Sequence, residues 1–246
     1  MKIRLDKLLM ARGLAETRQK AQAIIGSGQV LVAGHMMDKA GHQVDEGLEI
    51  TIKGNRCPFV SRGGLKLAKG LDYFHLDPAS LICADIGAST GGFTDCLLQN
   101  GATLVYAVDV GYGQLDWRLR QDPRVVVMER TNARYLSRED IPQPLDLAVI
   151  DAAFISIKLL IAALLPLFGT KPVSILSLIK PQFEVGKGKV GKGGVVSDPA
   201  LHTEVVESIT DFIASLGLSH LGVTDSPILG PKGNKEFLIH IITPPS

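Results

Sequence analysis

Sulfur chemistry is sparse in this 246-residue sequence. Its three cysteines (Cys57, Cys83 and Cys96) form no CxxC pair and cannot all be bridged within one chain, so free thiols in a reducing compartment are expected. Six scattered histidines include no HxxxH or HExxH spacing, which argues against a metal site. The N-terminal MKIRLDKLL has no apolar stretch long enough for a signal peptide. The most apolar run, residues 159–168, falls short of the roughly 20 residues a bilayer helix needs and contains Pro166. Net charge is also lacking: 26 Lys+Arg against 25 Asp+Glu leave +1, which indicates no partner. Hydrophobic residues at 46% exclude intrinsic disorder and allow one large core plus a small one. A cytoplasmic globular protein, with neither membrane nor metal as partner, is the expectation.

The charge is unevenly placed. Residues 1–20 hold Lys2, Arg4, Lys7, Arg12, Arg18 and Lys20 against only Asp6 and Glu16. Leu5, Leu8 and Leu9 have the spacing of one helix face, and Gly13 ends that helix. Thr17 is the predicted N-cap of a second helix carrying Ala21, Ile24 and Ile25 inward, although Lys20 denies it a capping box. Gly28 closes the second helix, and residues 30–32 and 48–52 read as short strands. Arg4 and Lys7 are read as i, i+3 neighbours on the first helix. Cations on two short helices are often only a solvated face, yet their single sign suits a phosphate backbone. The pieces Arg4-Leu5-Asp6-Lys7-Leu8-Leu9, Thr17-Arg18-x-x-Ala21 and Ser27-Gly28-Gln29-Val30-x-Val32-x-Gly34 resemble the alpha-L, ribosomal S4-type RNA-binding domain over roughly residues 2–50. That resemblance makes Arg4, Lys7, Arg12, Arg18 and Lys20 the candidate RNA-binding residues. Ala33 departs from it, standing where that family often has Asn in a tight turn.

From about residue 80 apolar strands alternate with helical stretches, which predicts an open parallel sheet. Candidate strands are 81–86, 104–110, 125–128, 145–150 and 173–179. After a helix near 199–216 come 221–225 and 236–242, a pair placing one antiparallel strand in the sheet. The fold class is therefore α/β: a seven-stranded Rossmann-like domain preceded by a small α+β domain. The join falls in 54–64, giving domains 1–58 and 59–246.

The stretch Asp85-Ile86-Gly87-Ala88-Ser89-Thr90-Gly91-Gly92-Phe93 follows the first strand of this sheet and opens a helix. Glycines there permit a tight turn and close backbone approach, and the helix start offers free N–H donors. Asp109, at the end of the next strand, stands where an acid can accept both ribose hydroxyls of an adenosine. A nicotinamide dinucleotide would need GxGxxG, and position 89 is Ser; Asp-x-Gly-x-x-x-Gly-Gly resembles an S-adenosylmethionine site instead. The stretch Gly186–Gly193 nearly writes a P-loop, but Gly193 stands where magnesium needs Ser or Thr, and no strand directly precedes it. A flexible basic loop near bound RNA is the better reading.

In open α/β sheets function gathers at the carboxyl ends of parallel strands. Asp151 and Lys180 end the fourth and fifth strands. Glu236 starts the last one, which reaches the same edge if antiparallel, and Lys66 could project over that edge from a preceding helix. Methyl transfer from a sulfonium is an in-line displacement, so the acceptor must be positioned and made nucleophilic. A free lysine, with a pKa of about 10.4, would be protonated, whereas one partly desolvated beside a second cation can serve as base. Lys180 is the expected base, Asp151 and Glu236 its orienters and Lys66 the field-tuning cation. After the fourth strand Asp151-Ala152-Ala153-Phe154 lacks the Asn/Asp-Pro-Pro-aromatic motif of base-nitrogen methylases, which favours an oxygen acceptor.

The segments SRGGLKL, DIGASTGGF, VDVGYGQLDWRLRQDPRV, ERTNAR, LIKPQFEVGKG, GKGGVVSDP and GNKEF resemble the TlyA-type haemolysin-A / rRNA methyltransferase family, in which an RNA-binding domain precedes an FtsJ-like methyltransferase. The resemblance covers nearly the whole chain. It implies a catalytic set of Lys66, Asp151, Lys180 and Glu236. It also implies cofactor contacts at Asp85, Gly87, Ser89, Thr90, Gly91, Gly92, Phe93 and Asp109, with Asn132 on the adenine side. The implied activity is 2′-O-methylation of cytidine in ribosomal RNA, with S-adenosylmethionine as cofactor and ribosomal subunits as partners. Ala152 and Ala153 depart from the larger apolar residue and Ser that the family usually carries. The haemolysin label raises a cytolysin as an alternative, and a non-catalytic RNA-binding factor is another.

Overall fold

Leu5, Leu8 and Leu9 line the buried face of α1 (Leu5–Ala11), as their spacing predicts. The computed structural model describes residues 2–26, 28–52, 57–186, 188–191 and 193–244, and divides the chain into two compact units, Met1–Arg56 and Cys57–Ser246. Ser27 and residues 53–56, which carry part of the S4-type motif and of the expected domain join, lie outside the described residues.

In the first unit β1 (Lys2–Arg4) precedes α1, and α2 (Arg18–Gly26) follows it. Thr17 Oγ1 accepts the Lys20 backbone N–H at 3.2 Å, the capping bond its position predicts. Gly28 stops α2 with φ +70°, a conformation glycine adopts without Cβ strain. Next come β2 (Val30–Val32), β3 (His35–Met37), β4 (Gln43–Asp45) and β5 (Ile50–Ile52). β2 pairs antiparallel with β3 and β5, and β1 with β4. Val30, Val32 and Val44 close over Leu5, Leu8, Leu9, Ala21 and Ile25 to make this unit's core. Strands β1, β3 and β4 were not predicted, since three residues carry too little alternation to read.

One expectation is corrected here. Arg4 and Lys7 do not share a helix face, because Arg4 closes β1 with extended dihedrals (φ −64°, ψ 137°). Pairing of Arg4 with Gln43 holds it in the strand.

The second unit begins with α3 (Gly63–Tyr73), β6 (Ile82–Ile86), α4 (Gly92–Gln99), β7 (Leu104–Val108), α5 (Trp117–Gln121) and β8 (Val125–Met128). It continues with β9 (Leu147–Ile150), α6 (Ile157–Leu164), β10 (Ser174–Ile179), α7 (Pro181–Glu184), α8 (Pro199–Ser215), β11 (Ser219–Asp225) and β12 (Phe237–Ile242). Among the described residues these strands form one seven-stranded sheet in the order β11-β12-β10-β9-β6-β7-β8. Only β12 runs against the rest, between β10 and β11.

Both faces of the sheet are covered, so its central strands are apolar throughout rather than alternating with polar residues. Along β9, Leu147 and Val149 face the core that holds Leu67 of α3 and Leu97 of α4; Ala148 and Ile150 face the one that holds Ile161 of α6 and Ile209 of α8. Burying each such leucine or isoleucine contributes roughly 1.5–3 kcal/mol. Strand order reverses between β9 and β6, so the loops after β6, β7, β9 and β10 and the one before β12 meet at one edge.

Candidate active site

The loop after β6 is fastened from inside the protein. Asp85 is fully buried, and its Oδ2 accepts the Thr94 backbone N–H (2.8 Å) and hydroxyl (2.7 Å), tying the strand to the first turn of α4. Burial pushes the Asp85 carboxyl up to about 7, against the opposing pull of the Thr94 bonds. Gly91 caps α4 with φ +92°, and a Cβ there would lie 2.2 Å from Leu119 Cδ1. Neither residue lines the adjoining cavity. Asp85 and Gly91, both expected to contact the cofactor, shape the loop here, since the side chain of one and the α-carbon of the other face the core.

The cavity has a volume of about 840 Å³, within the usual range for small-molecule sites. Gly87, Ser89, Thr90, Gly92, Phe93, Asp109 and Asn132 all line it. Asp109 joins two loops, accepting the Ser89 N–H on Oδ2 (2.8 Å) and the Gly111 N–H on Oδ1 (2.6 Å). Its remaining lone pairs are available for hydroxyl donors. Asn132 Oδ1 caps the 3-10 turn Ala133–Tyr135 by accepting the Arg134 N–H at 3.2 Å. Gly87 (φ +86°) lets the β6 and β9 loops close together, since a Cβ there would stand 3.0 Å from the Asp151 carbonyl and the Ala152 backbone. The glycine cradle, the acid beside it and the cavity volume fit an adenosine-bearing methyl donor.

Four residues from distant parts of the chain come together here: Lys66, Asp151 and Lys180 line the cavity, and Glu236 pairs with Lys66 behind them. Lys66 Nζ, from α3, lies 2.6 Å from Glu236 Oε2 and 3.7 Å from Asp151 Oδ2. Lys180 Nζ lies 2.5 Å from Asp151 Oδ1 and donates to the Asp151 carbonyl at 3.2 Å. The result is a continuous line, Glu236–Lys66–Asp151–Lys180, with alternating charge. Lys66, Lys180 and Glu236 are nearly inaccessible to solvent, and Asp151 is half-buried. Buried charges persist when paired, and here each is. The antiparallel direction of β12 brings Glu236 to this edge, and Pro181 stops β10 so that Lys180 turns out of the sheet.

Several lining residues had no sequence signal of their own. Gln114 sits in the loop after β7 and accepts the Ser89 hydroxyl at 3.2 Å. Leu229 and Gly230 come from the turn before β12. Phe154 holds φ +63° with its ring 91% exposed at the cavity, 5.2 Å from the Phe183 ring. Such strain in a non-glycine residue costs about 1–3 kcal/mol and is concentrated at functional sites.

In the first unit the expected RNA-binding cations are more engaged than a charge count implies. Arg4 and Arg18 both reach Asp6, Lys20 Nζ lies 2.6 Å from Glu16 Oε2, and Arg12 donates to the carbonyls of Leu48 (2.8 Å) and Glu46. Lys7 is exposed. In the Gly-rich loop, preceded by α7 rather than a strand, Lys189 pairs with Glu204 at 2.5 Å, while Lys187 and Lys192 lie outside the described residues.

The chain matches the family model described as FtsJ-like methyltransferase over residues 59–242 and the S4 domain over residues 3–50. It is 50% identical to "Putative rRNA methyltransferase YqxC" of Bacillus subtilis, covering 99% of this chain and 86% of that protein. It is 46% identical to the 16S/23S rRNA (cytidine-2′-O)-methyltransferase TlyA of Mycobacterium tuberculosis, covering 98% and 90%. Among solved structures, "Putative hemolysin from Streptococcus thermophilus" superposes with a TM-score of 0.78 at 45% identity, covering all of this chain and 90% of that one. With a glycine-rich loop and cavity at the switch point of its sheet, and a matching family model along three-quarters of its length, the chain belongs to the FtsJ-like methyltransferase family, preceded by an S4 domain.

Proposed function

We propose that this protein uses S-adenosylmethionine to methylate the ribose 2′-hydroxyl of a cytidine in ribosomal RNA, in the cytoplasm, with residues 1–58 holding RNA and 59–246 carrying the chemistry. The observation that carries this reading is the Glu236–Lys66–Asp151–Lys180 line, of which Lys66, Asp151 and Lys180 wall the cavity that also holds the glycine loop. The name of the Mycobacterium tuberculosis relative supports cytidine as the acceptor nucleoside.

S-adenosylmethionine, when bound, supplies an electrophilic methyl carbon on a sulfonium. Asp109 would hold its ribose hydroxyls, Asn132 would face the adenine, and the backbone of residues 87–93 would line its remaining length. Lys180 takes the 2′-hydroxyl proton as the oxygen attacks, so it must enter the step with a free lone pair. Asp151 orients Nζ of Lys180 through its carboxylate and carbonyl. Lys66, held between Glu236 and Asp151, supplies fixed positive charge beside the developing alkoxide. With S-adenosylmethionine held there, O2′ would take the methyl carbon, sulfur would keep the electron pair of the bond it gives up, and the proton would end on Lys180.

The test is transfer of tritiated methyl groups to ribosomal subunits from a strain lacking the modification, followed by mapping of the labelled nucleotide. Label on a cytidine ribose supports the reading; label on a base, or none on either subunit, removes it. Leakage of liposomes without RNA methylation would favour the cytolysin that haemolysin names imply.

A further inference from the structure

The carboxylate of Asp6 is fully buried, yet it accepts from five donors: Arg4 Nε (3.0 Å) and Nη2 (2.8 Å), Arg18 Nε (3.1 Å), Gln22 Nε2 (3.4 Å) and the Lys7 backbone N–H (3.0 Å). These bonds, Arg4's first, hold its carboxyl well below the usual carboxylate range, so it stays ionised at neutral pH. The two arginines are not buried with it; their side chains are 37% and 54% exposed. Their remaining Nη hydrogens have no partner among the described residues. Gly41 leaves the approach to Arg4 open, since a Cβ there would lie 3.3 Å from Nη1.

A buried acid is a poor investment in a surface meant to attract a polyanion, because it cancels one of the cations beside it. What it provides is geometry. A guanidinium must be held in plane to meet two phosphate oxygens at once, and an arginine fixed beforehand loses less rotamer freedom on binding. We infer that Asp6 is a positioning residue for RNA: it holds Arg4 and Arg18 side by side as a preformed fork for the phosphate backbone. This inference rests on the reading of the first unit as an RNA-binding domain.

Charge counting and positioning predict opposite signs for Asp6→Asn. Removing a negative charge should tighten RNA binding if electrostatics alone acts, whereas loss of the clamp should weaken it. The experiment measures the Kd of the full chain for unmodified ribosomal subunits across a salt series, with thermal unfolding as a check on folding. Asp6→Asn is expected to bind about tenfold more weakly despite its more positive charge. Arg4→Lys and Arg18→Lys, which keep charge but lose the planar fork, should each weaken binding about threefold or more with little change in salt slope. In an Arg4→Ala/Arg18→Ala background, Asp6→Asn should change Kd by less than about twofold, because the residues it acts through are gone. Unchanged or tighter binding by a folded Asp6→Asn protein overturns the inference, and so does a full further loss in the double-alanine background. Should Asp6→Asn fail to fold, wild-type affinity in both lysine variants overturns it. Failure of the unsubstituted protein to bind subunits would instead remove the RNA-binding reading, and this inference with it.

Discussion

Gly230 and Glu236 stand so close that no side chain fits between them: a Cβ on Gly230 would lie 2.0 Å from Glu236 Oε1 and 2.6 Å from its Cδ. The turn before β12 thus packs bare backbone against the carboxylate that pairs with Lys66.

Gly230→Ala should therefore push Glu236 off Lys66 without touching the cofactor loop. Methyl transfer is expected to fall about tenfold to a hundredfold, since misplacement of a catalytic group by an ångström is that costly. Cofactor affinity measured by calorimetry should stay within about twofold. An alanine variant with unaltered turnover would mean that the Glu236 position is not critical.

Lys180→Ala and Asp109→Ala should separate chemistry from binding. The first is expected to abolish methyl transfer with cofactor affinity retained. The second should weaken cofactor binding by about tenfold or more, because charged acceptors to ribose hydroxyls contribute about 1.5–3 kcal/mol.

Two buried groups of the catalytic unit should pull its stability in opposite directions with pH. His240 bonds Ser174 Oγ through Nε2 (2.9 Å), and burial lowers it to about 4, against roughly 6.5 when unfolded. Its contribution is complete above pH 6.5 and is lost as pH falls through 4. Asp85 has the reverse sign: raised by burial to about 7, its contribution is complete below its unfolded value near 3.9 and is lost as pH rises through 7. Between about pH 4 and 6.5 the two slopes, each up to about 1.4 kcal/mol per pH unit, largely offset. In urea unfolding, His240→Gln should therefore expose a stability that falls with pH over this window, and Asp85→Asn one that rises. Parallel curves for all three proteins would show that neither group is linked to folding.

Ala33 holds φ +48° in the turn between β2 and β3, ahead of Gly34 at +80°. Asparagine adopts that conformation more readily than alanine. Ala33→Asn is expected to stabilise the first unit by about 0.5–1 kcal/mol, read as a rise in its thermal midpoint. A fall would mean that the turn tolerates alanine for another reason.

What the sequence by itself determined is what neighbours along the chain decide. Leu5, Leu8 and Leu9 define a helix face, Thr17 caps α2, and apolar runs mark all seven strands of the large sheet within a few residues, because helical and extended periodicity are local properties. The glycine loop after β6 was legible for the same reason. The tertiary structure decided the rest. Asp85 carries the signature of a cofactor contact, yet its side chain turns inward to Thr94, since a strand's two faces are assigned only by packing. Asp6 counts in the sequence only as one of two acids, with Glu16, against six cations, although folding places Arg18, twelve residues on, against its carboxylate. Lys66 and Glu236 are 170 residues apart. No local pattern records their 2.6 Å contact, which exists because the reversed β12 begins beside a helix that precedes the sheet.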